Sequence, residues 1–424
     1  MEQPGKDHEG RDPDPADWRG MDQWYERADH FLRDQEISAM DQNEIFVISG
    51  EQITSMAYEL CLRADLAGRI RSSCGGKNPL IALKPNLVGP IPASDGATTH
   101  PQIVEGVIRY LRSEGLQNLV LMESSWVGDK TEDALLVTGF GELSRKLGVP
   151  FRDLQADRSV PVDCAGMKLN VCRKALEADF LINLPVMKGH CQTRMTCALK
   201  NMKGCIPGSE KRRFHRMGLH EPIGHLSAGL KQGFILADAI CPDLTFEDGG
   251  NPVTLNTLLC AVDPVLLDAY ACRLIGLKEE SVPYIRIASE CGVGKRDLSA
   301  AKVTHFLEKR ENGEVLYTQG DPSVSAWKGD YSQILKVKEL VCEMDSCSAC
   351  YGTLVPILHR LEEEGLLKNL PGRLCIGQGF RGKKGAYGIG SCTSGFAHSL
   401  PGCPPSSDDI EAFLRSICSG PDRG

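Results

Sequence analysis

Five apolar runs of strand length constrain the fold of this chain more than any other feature of its sequence. They show no polar alternation and are separated by helical or turn-rich stretches. The runs cover residues 80–83, 119–122, 180–182, 234–237 and 258–262. Strands without alternation are buried on both faces, as in a parallel sheet covered by helices. The sequence therefore predicts an α/β fold with a mostly parallel sheet core and helices on both faces.

The length predicts more than one structural unit, because 424 residues exceed the size at which a single core keeps growing. We expect a disordered or loosely ordered N-terminal extension over residues 1–40 and an α/β core domain over 41–312. A polar connector over 313–334 and a small α/β domain that carries cysteines, over 335–424, complete the predicted organisation.

Charge and hydropathy exclude two classes of partner. The formal net charge is -8, and Lys and Arg are scattered rather than clustered, so we expect no nucleic-acid binding. The first 40 residues are polar and contain no apolar run of the length that a signal peptide or a membrane span requires. We therefore predict no membrane insertion and a cytoplasmic location, in which thiols stay reduced.

Four of the 18 cysteines form a pattern that predicts a metal centre: Cys347, Cys350, Cys392 and Cys403. The first two form a C-x-x-C pair, and the last two stand beside glycine or proline, where the backbone can turn sharply. Thiolates suit both zinc and iron–sulfur clusters. A 4Fe-4S cluster is the prediction, and the alternatives are a zinc site and no metal at all.

The cysteine segment is similar to the cluster-binding domain of hydrogenase small subunits and of the related quinone oxidoreductase subunit. The resemblance rests on C-x-x-C at 347–350, G-x-C at 390–392 and G-C-P-P at 402–405, and it covers about the last 80 residues. It implies that the four cysteines hold one 4Fe-4S cluster.

Polar residues follow each of the apolar runs. The residues at these positions are Lys84, Asn86, Glu123, Asn183, Lys188, His190, Asp238 and Asp263. In open α/β sheets, ligands bind at the carboxyl ends of the strands. We therefore expect these polar side chains to form one site at a shared edge of the sheet.

Residues 188–205 carry four cations, one imidazole and three thiols, and they show no alternation with apolar residues. This composition predicts a loop outside the core that binds an anion, and a solvated basic loop is the alternative. Lys84, Lys188 and His190 are the candidate catalytic residues, because lysine and histidine can transfer protons. The candidate substrate-binding residues are Asn86, Thr99, Glu123, Arg194, Lys200 and Asn201.

Three local patterns predict helix boundaries. Thr99 and Gln102 fit a capping box, although the amides of that first helical turn could also receive a carboxylate or phosphate. Asp263 followed by Pro264 is typical of an N-cap and a first helical residue. Pro222 interrupts the region of His215, His220 and His225, which therefore predicts a loop rather than a metal site.

Five sequence motifs resemble the successive signatures of the family catalogued as domain of unknown function 362. They are LKPNLV at 83–88, GATTHP at 96–101, LPVMKGH at 184–190, LKNMKG at 199–204 and VDPVLLD at 262–268. Members of this family are often associated with ferredoxin-type cysteine runs, which this chain lacks. A more distant resemblance to nickel-dependent lactate racemases implies Lys188 or Lys200 as a cofactor tether and His190 as a metal ligand or base.

Together these patterns favour an oxidoreductase that passes electrons between a 4Fe-4S cluster and a small anionic substrate or cofactor at the strand ends. A redox partner protein is a further expectation. Two alternatives are a non-redox isomerase or lyase that uses Lys and His as acid and base, and an accessory protein that carries a cluster or metal to another complex.

Overall fold

A computed structural model describes residues 39–75, 78–190, 192–311, 314–320, 337–344, 346 and 348–419. Residues 1–38 of the expected N-terminal extension, most of the expected connector and Cys347 lie outside these ranges. The proposed domain boundaries remain predictions.

Strands and helices alternate over most of the described chain. The strands are β1 (Glu44–Ser49), β2 (Ile81–Pro85), β3 (Leu119–Glu123), β4 (Phe151–Asp153), β5 (Ser159–Cys164), β6 (Met167–Cys172), β7 (Phe180–Leu184), β8 (Lys188–His190), β9 (Arg194–Thr196), β10 (Phe234–Ala239), β11 (Thr257–Ala261), β12 (Lys302–Glu311), β13 (Glu314–Gln319), β14 (Val341–Glu343), β15 (Leu374–Ile376), β16 (Tyr387–Ile389) and β17 (His398–Leu400). The helices are α1 (Ile53–Arg63), α2 (Leu66–Cys74), α3 (Pro101–Ser113), α4 (Thr131–Val137), α5 (Phe140–Leu147), α6 (Arg173–Leu176), α7 (Ala198–Asn201), α8 (Gly208–Met217), α9 (His220–Gly229), α10 (Pro264–Leu274), α11 (Pro283–Glu290), α12 (Ser348–Glu363) and α13 (Ser407–Ser419).

The main sheet has nine strands among the described residues, in the order β13-β12-β1-β11-β10-β7-β2-β3-β4. All five apolar runs form strands of this sheet, namely β2, β3, β7, β10 and β11. Strands β10, β7, β2, β3 and β4 are parallel to one another, and β1 is parallel to β12. The prediction of a mostly parallel sheet is therefore confirmed.

One of the five strands runs against the others. Strand β11 pairs antiparallel with both β1 and β10. Asp263, which follows β11, therefore lies at the edge opposite to the carboxyl ends of β2, β3, β7 and β10. The expectation that all five strand ends share one edge is wrong for this residue, because an apolar run carries no information about strand direction.

Helices cover both faces of the main sheet. On one face, Ile81 and Leu83 of β2 pack with α1, α2, α3 and α5. On the other face, Ala82 packs with α7, α8, α9, α10 and α11. Each fully buried Leu or Ile side chain contributes roughly 2 kcal/mol through removal of its surface from water. The two covered faces confirm the predicted architecture.

Two of the local predictions about helices differ from the structure. Helix α3 begins at Pro101 and its N-cap is His100, so the capping box of Thr99 and Gln102 is wrong. Proline is favoured at the first helical position, where no amide hydrogen bond is lost, and it fixes the start one residue later. The prediction at α10 is confirmed, since the Asp263 carboxylate accepts the amide of Val265 at 2.8 Å.

The loop predicted around three histidines is also wrong. His215 lies on α8, and His220 and His225 lie on α9. Pro222 falls in the first turn of α9, where a helix tolerates proline. Gly224 is required by packing, because a Cβ atom there would collide with Ile287.

The segment over residues 188–205 is part of the core, contrary to the prediction. It forms the hairpin of β8 and β9, followed by α7. Its apolar residues Met195, Cys197 and Leu199 are fully buried in the cluster beneath the main sheet. The sequence did not indicate this burial, because the elements are short and periodicity cannot be recognised over three or four residues.

The cysteine-bearing segment has its own small sheet. Strands β14, β15, β16 and β17 are parallel and adjacent in chain order. Helices α12 and α13 pack on one face through a separate apolar cluster that includes Leu358 and Leu414. Strand β13 lies within the expected connector and pairs with β12 of the main sheet.

Within the described ranges, no helix combines the length and the apolar character needed to cross a membrane.

Candidate functional site

A cavity of about 480 Å³ lies between the strand ends of the main sheet and the turns that carry the cysteines. The core side contributes Asn86, Glu123, Lys188, His190, Lys200, Asn201, His215 and Glu247. The C-terminal side contributes Cys350, Gln378, Arg381, Cys392 and Cys403. Two groups of residues that the sequence predicted separately, as a substrate site and as a metal site, thus face one space.

A buried ion pair supports the floor of the cavity. Lys84 Nζ lies 2.5 Å from Glu123 Oε2, and both side chains are almost completely buried. Lys84 also donates to the Pro85 carbonyl at 3.1 Å, while Glu123 Oε1 accepts the Ser124 amide at 2.7 Å. A Cβ atom at Gly204 would collide with the Glu123 carboxylate, so only glycine fits there. Glu123 lines the cavity, whereas Lys84 lies behind it.

Three asparagines form a chain of amide hydrogen bonds beside this pair. Asn86 Nδ2 donates to Asn201 Oδ1 at 2.8 Å, and Asn201 Nδ2 donates to Asn183 Oδ1 at 2.7 Å. Asn183 Nδ2 ends the chain at the Ala198 carbonyl, 2.9 Å away. Each amide orientation follows from its neighbour, so the polar wall has one defined geometry.

Lys188 is completely buried and holds two distant segments together. Its Nζ donates to the carbonyl of Ala97 at 2.5 Å and to that of Glu247 at 2.6 Å. Burial and, to a smaller extent, the charge of Lys200 lower the pKa of Lys188 to about 7, against the opposing effect of Glu247. The amine can therefore gain or lose a proton at neutral pH.

His190 is held as a neutral imidazole. Its Nδ1 accepts the amides of Gln192 at 3.0 Å and Thr193 at 3.2 Å, so the neutral ring carries its proton on Nε2. Nε2 lies 3.7 Å from Glu247 Oε1. Burial, followed by the charges of Lys200 and Lys203, lowers the pKa of His190 well below its usual value. The ring therefore presents an N–H donor beside a carboxylate.

Several cavity residues were missed by the sequence analysis. His215 and Lys211 lie four residues apart on α8, on one face of the helix. Lys211 Nζ donates to the carbonyls of Ser124 at 2.9 Å and Ser125 at 2.7 Å, and burial lowers its pKa to about 8. Burial, with the charge of Lys203, lowers the pKa of His215 to about 2. The four-residue spacing would have identified both, had a helix been predicted there.

Cations dominate the polar lining of the cavity. The cationic residues that line it are Lys188, Lys200, Lys203, Lys211, Arg212, Arg216 and Arg381. The carboxylates of the same lining, among the described residues, are those of Glu123 and Glu247. An excess of cations in a concave, partly buried site attracts anions.

Two candidate binding residues are placed elsewhere. Arg194 is exposed at the end of the β8–β9 hairpin, with a φ of 67°. Thr99 is fully buried behind the cavity wall, where its hydroxyl donates to the Leu184 carbonyl and accepts the Asn86 amide, each at 2.8 Å. Thr99 thus connects two strand ends, and Arg194 faces solvent.

The cysteines of the C-terminal side lie on turns and at a helix start. Cys350 is in the first turn of α12, and Cys392 and Cys403 follow β16 and β17. Gly390 has a φ of 87°, and a Cβ atom there would lie 3.6 Å from Cys350 Sγ. The backbone therefore approaches the sulfur closely. Cys347 lies outside the described residues, and no group of three or more His, Cys, Asp or Glu side chains within them is arranged to hold a metal ion.

Arg381 lies beside the cysteines as well as in the cavity. Burial raises the pKa of Cys392, the neighbouring Cys403 raises it further, and Arg381 opposes both through its charge and a hydrogen bond. The guanidinium thus favours the thiolate form of Cys392.

The chain is similar to a curated protein and to a solved structure. It is 26% identical over 238 residues to "Thylakoid-associated protein sll1697" of Synechocystis sp., covering 54% of this chain and 71% of that protein. The lactate racemase apoprotein from Thermoanaerobacterium thermosaccharolyticum matches with a TM-score of 0.34 and 13% identity. That match covers 57% of this chain and 58% of the racemase chain, and it supports no conclusion about activity. The name of this relative concerns the thylakoid, and the cytoplasmic location of the present chain stays a prediction.

A family model matches the part of the core that contains all five strands formed by the apolar runs. The matched region also includes α3, α7, α8, all but the last residue of α10, and every core-side residue assigned to the cavity, from Asn86 to Glu247. Residues 81–273 match the family described as Domain of unknown function (DUF362).

Proposed function

We propose that this chain is an iron–sulfur redox protein that holds a small anionic substrate or cofactor between the strand ends of the core and a 4Fe-4S cluster. One observation carries the proposal: cysteines and buried acid–base residues line the same cavity of about 480 Å³. A redox centre and its substrate must be close for electrons to pass between them.

The cations of the core side supply the binding of the anion. Lys200 is a half-buried residue of the cavity wall, and its Nζ donates to the Thr196 hydroxyl at 3.1 Å. Lys203 and Arg212 line the cavity beside it. In a partly water-excluded space, charge-assisted hydrogen bonds from such groups are about twice as strong as neutral ones. A carboxylate or phosphate is the ligand that fits this lining.

Lys188 supplies the movement of protons, and His190 supplies a hydrogen-bond donor. Lys188 changes its charge near neutral pH, and the Nε2–H of His190 is a donor in a ring that stays neutral. A substrate that gains or loses electrons must usually exchange protons as well. Lys188 can give or accept a proton at the core side of the bound molecule, and His190 can donate a hydrogen bond to it from Nε2.

The cysteine side supplies the ligands of the proposed cluster. Cys350, Cys392 and Cys403 line one wall of the cavity. Thiolates are the ligands that iron–sulfur clusters take. These three cysteines, together with Cys347, would hold the cluster, which when bound supplies one-electron transfer.

The test is metal and spectroscopic analysis of the full chain purified without oxygen. We expect a brown protein with about four iron atoms per chain, bleaching with dithionite, and an electron paramagnetic resonance signal in the reduced state. A colourless protein that contains one zinc ion per chain would overturn the proposal.

A second candidate is a non-redox isomerase or lyase, and it rests on the core side alone. The pKa of Lys188 at about 7, beside a neutral His190, suits acid–base chemistry without electron transfer. The two candidates differ in one respect that can be measured. Turnover that persists unchanged after the cluster is removed favours the isomerase or lyase, and turnover that depends on the oxidation state favours the redox protein.

A further inference from the structure

A cysteine, a histidine and an aspartate meet at a place separate from the cavity. Asp238 lies in β10, Cys241 follows this strand, and His100 is the N-cap of α3. His100 Nδ1 lies 2.8 Å from Asp238 Oδ2, and His100 Nε2 lies 3.5 Å from Cys241 Sγ. A thiol, an imidazole and a carboxylate in consecutive contact are the arrangement of an activated nucleophile.

Asp238 fixes the orientation of the imidazole. Its Oδ2 also accepts the backbone amide of His100 at 2.8 Å, and its Oδ1 accepts the amide of Ile240 at 2.9 Å. The carboxylate therefore cannot turn away from Nδ1, and Nε2 is left facing the sulfur. Burial lowers the pKa of His100, but Asp238 and Cys241 outweigh burial and raise it to about 10. The ring is thus an imidazolium at neutral pH.

We propose that Cys241 is a reactive thiol site that accepts low-molecular-weight disulfides, with His100 and Asp238 as positioning residues. A neighbouring imidazolium stabilises a thiolate, which is the nucleophilic form of cysteine. Cys241 is half-buried, so small reagents can reach it. In the thiol form Sγ donates to the Ala93 carbonyl at 3.5 Å, and in the thiolate form the sulfur accepts from His100 Nε2 instead.

The reaction is a thiol–disulfide exchange. The thiolate sulfur of Cys241 attacks one sulfur of the disulfide, so a new S–S bond forms and the original S–S bond breaks. The leaving thiolate takes the Nε2 proton of His100 and departs as a thiol. Cys241 is oxidised to the disulfide level, the departing sulfur is reduced, and no other oxidant is required.

A second cysteine in this chain provides a matched control. Cys291 Sγ also lies 3.5 Å from a histidine nitrogen, Nδ1 of His225, and it is also half-buried. That nitrogen lies 2.8 Å from the Cys164 carbonyl, so it donates its proton there when it carries one. Burial, followed by Glu221 and Glu290, raises the pKa of Cys291. The two sites share a distance and differ in the third group.

The experiment is limited alkylation of the full chain with iodoacetamide at a pH of roughly 6.5, below the usual range of free thiols, followed by peptide mass spectrometry. We expect Cys241 to react roughly tenfold faster than Cys291. His100→Gln should remove most of this difference, while His225→Gln should leave the rate at Cys241 unchanged. Equal rates for the two cysteines in the unaltered chain would overturn the proposal.

A second measurement does not depend on any variant folding correctly. The unaltered chain is incubated with glutathione disulfide, and the Cys241 and Cys291 peptides are compared. We expect one glutathionyl group on Cys241 before Cys291 is modified. Modification of Cys291 first, or of both at the same rate, would contradict the assignment.

Discussion

The two walls of the cavity are built on different physical principles. On the core wall, the polar groups are buried and hydrogen-bonded to one another, as in the asparagine chain that ends at Asn183 and in the contacts of Lys188. On the C-terminal wall, Cys392 is half-buried and Cys403 is exposed, and both lie on turns after strands of only three residues. Hydrogen bonds between its own groups fix the geometry of the core wall. On the cysteine wall, a bound group would hold the sulfurs together.

This difference means that the two walls can be disrupted separately. A change at the cysteines should affect the bound group and leave the core intact. A change at the core wall should affect ligand binding and proton transfer and leave the bound group intact.

The largest effect is expected at the cysteine wall. Cys392→Ser should remove the four-iron signal, because one thiolate of the proposed cluster is lost, while the circular dichroism of the core stays unchanged. Cys74→Ser, at the end of α2 and far in the fold from the cysteine turns, is the control and should keep its iron. Full iron content in the Cys392→Ser protein would show that this wall does not hold the cluster.

The next effect is expected on the core wall. Lys188→Met and His190→Phe should each lower turnover by about 100-fold or more, because the first removes a titrating amine and the second removes a positioned hydrogen-bond donor. Retention of a co-purified anion in native mass spectrometry, which should fall in both variants, is the measurement. The iron spectrum should not change. Arg194→Gln is the control, since Arg194 is exposed at the hairpin end. A loss of iron in the Lys188→Met protein would contradict the separation of the walls.

A smaller effect concerns pH and stability. His215 has a pKa of about 2 in the folded chain and an ordinary value near 6.5 when unfolded. Between these values the unfolded chain binds more protons, so the stability due to this residue is lost as pH falls below about 6.5. At pH 5 the loss is ~2 kcal/mol. His215→Leu should therefore retain ~2 kcal/mol more of its neutral-pH stability at pH 5 than the unaltered chain does.

Urea unfolding at both pH values is the measurement. Titrating carboxyl groups such as Asp243 and Asp248 act equally in both proteins and cancel in the difference. Identical pH dependence in the two proteins would mean that the imidazole is not kept neutral by burial.

The smallest effect is expected where the two walls meet. Arg381→Leu removes a positive charge beside Cys392 and should lower the reduction potential of the proposed cluster by tens of millivolts, because the cation stabilises the more negative, reduced state. Potentiometric titration of the dithionite-reducible signal measures this shift. Arg212→Leu, on the core side of the cavity, is the control and should shift the potential less. A potential that stays the same or rises in Arg381→Leu would contradict the proposed role.

Much of the fold follows from patterns that have one physical cause. The five apolar runs became strands because no other element buries both faces over so few residues. The direction of β11 was not predictable, since pairing with β1 and β10 depends on segments far away in sequence. Thr99 and Arg194 were assigned to the site by chemical type, but burial and hairpin geometry placed them elsewhere.

The candidate site was predictable where its residues share one short segment or stand at the ends of neighbouring parallel strands, as Asn86 and Glu123 do. Lys188, His190, Lys200 and Asn201 come from one short segment, and the structure places all four on the cavity. Glu247, His215 and Arg381 reach the same cavity from three other segments. Each of these contacts depends on how the elements pack, and a single sequence does not contain that information.

The position of β1 in the main sheet has a consequence for synthesis on the ribosome. Strand β1 lies between β11 and β12, and Ser49 pairs with Thr257, 208 residues later in the chain. Strand β1 is therefore synthesised long before its partners and stays unpaired while the ribosome makes most of the core. Contacts of such long sequence separation form slowly and leave an unpaired strand exposed to other nascent chains. This strand order therefore keeps β1 unpaired until β11 and β12 have been made.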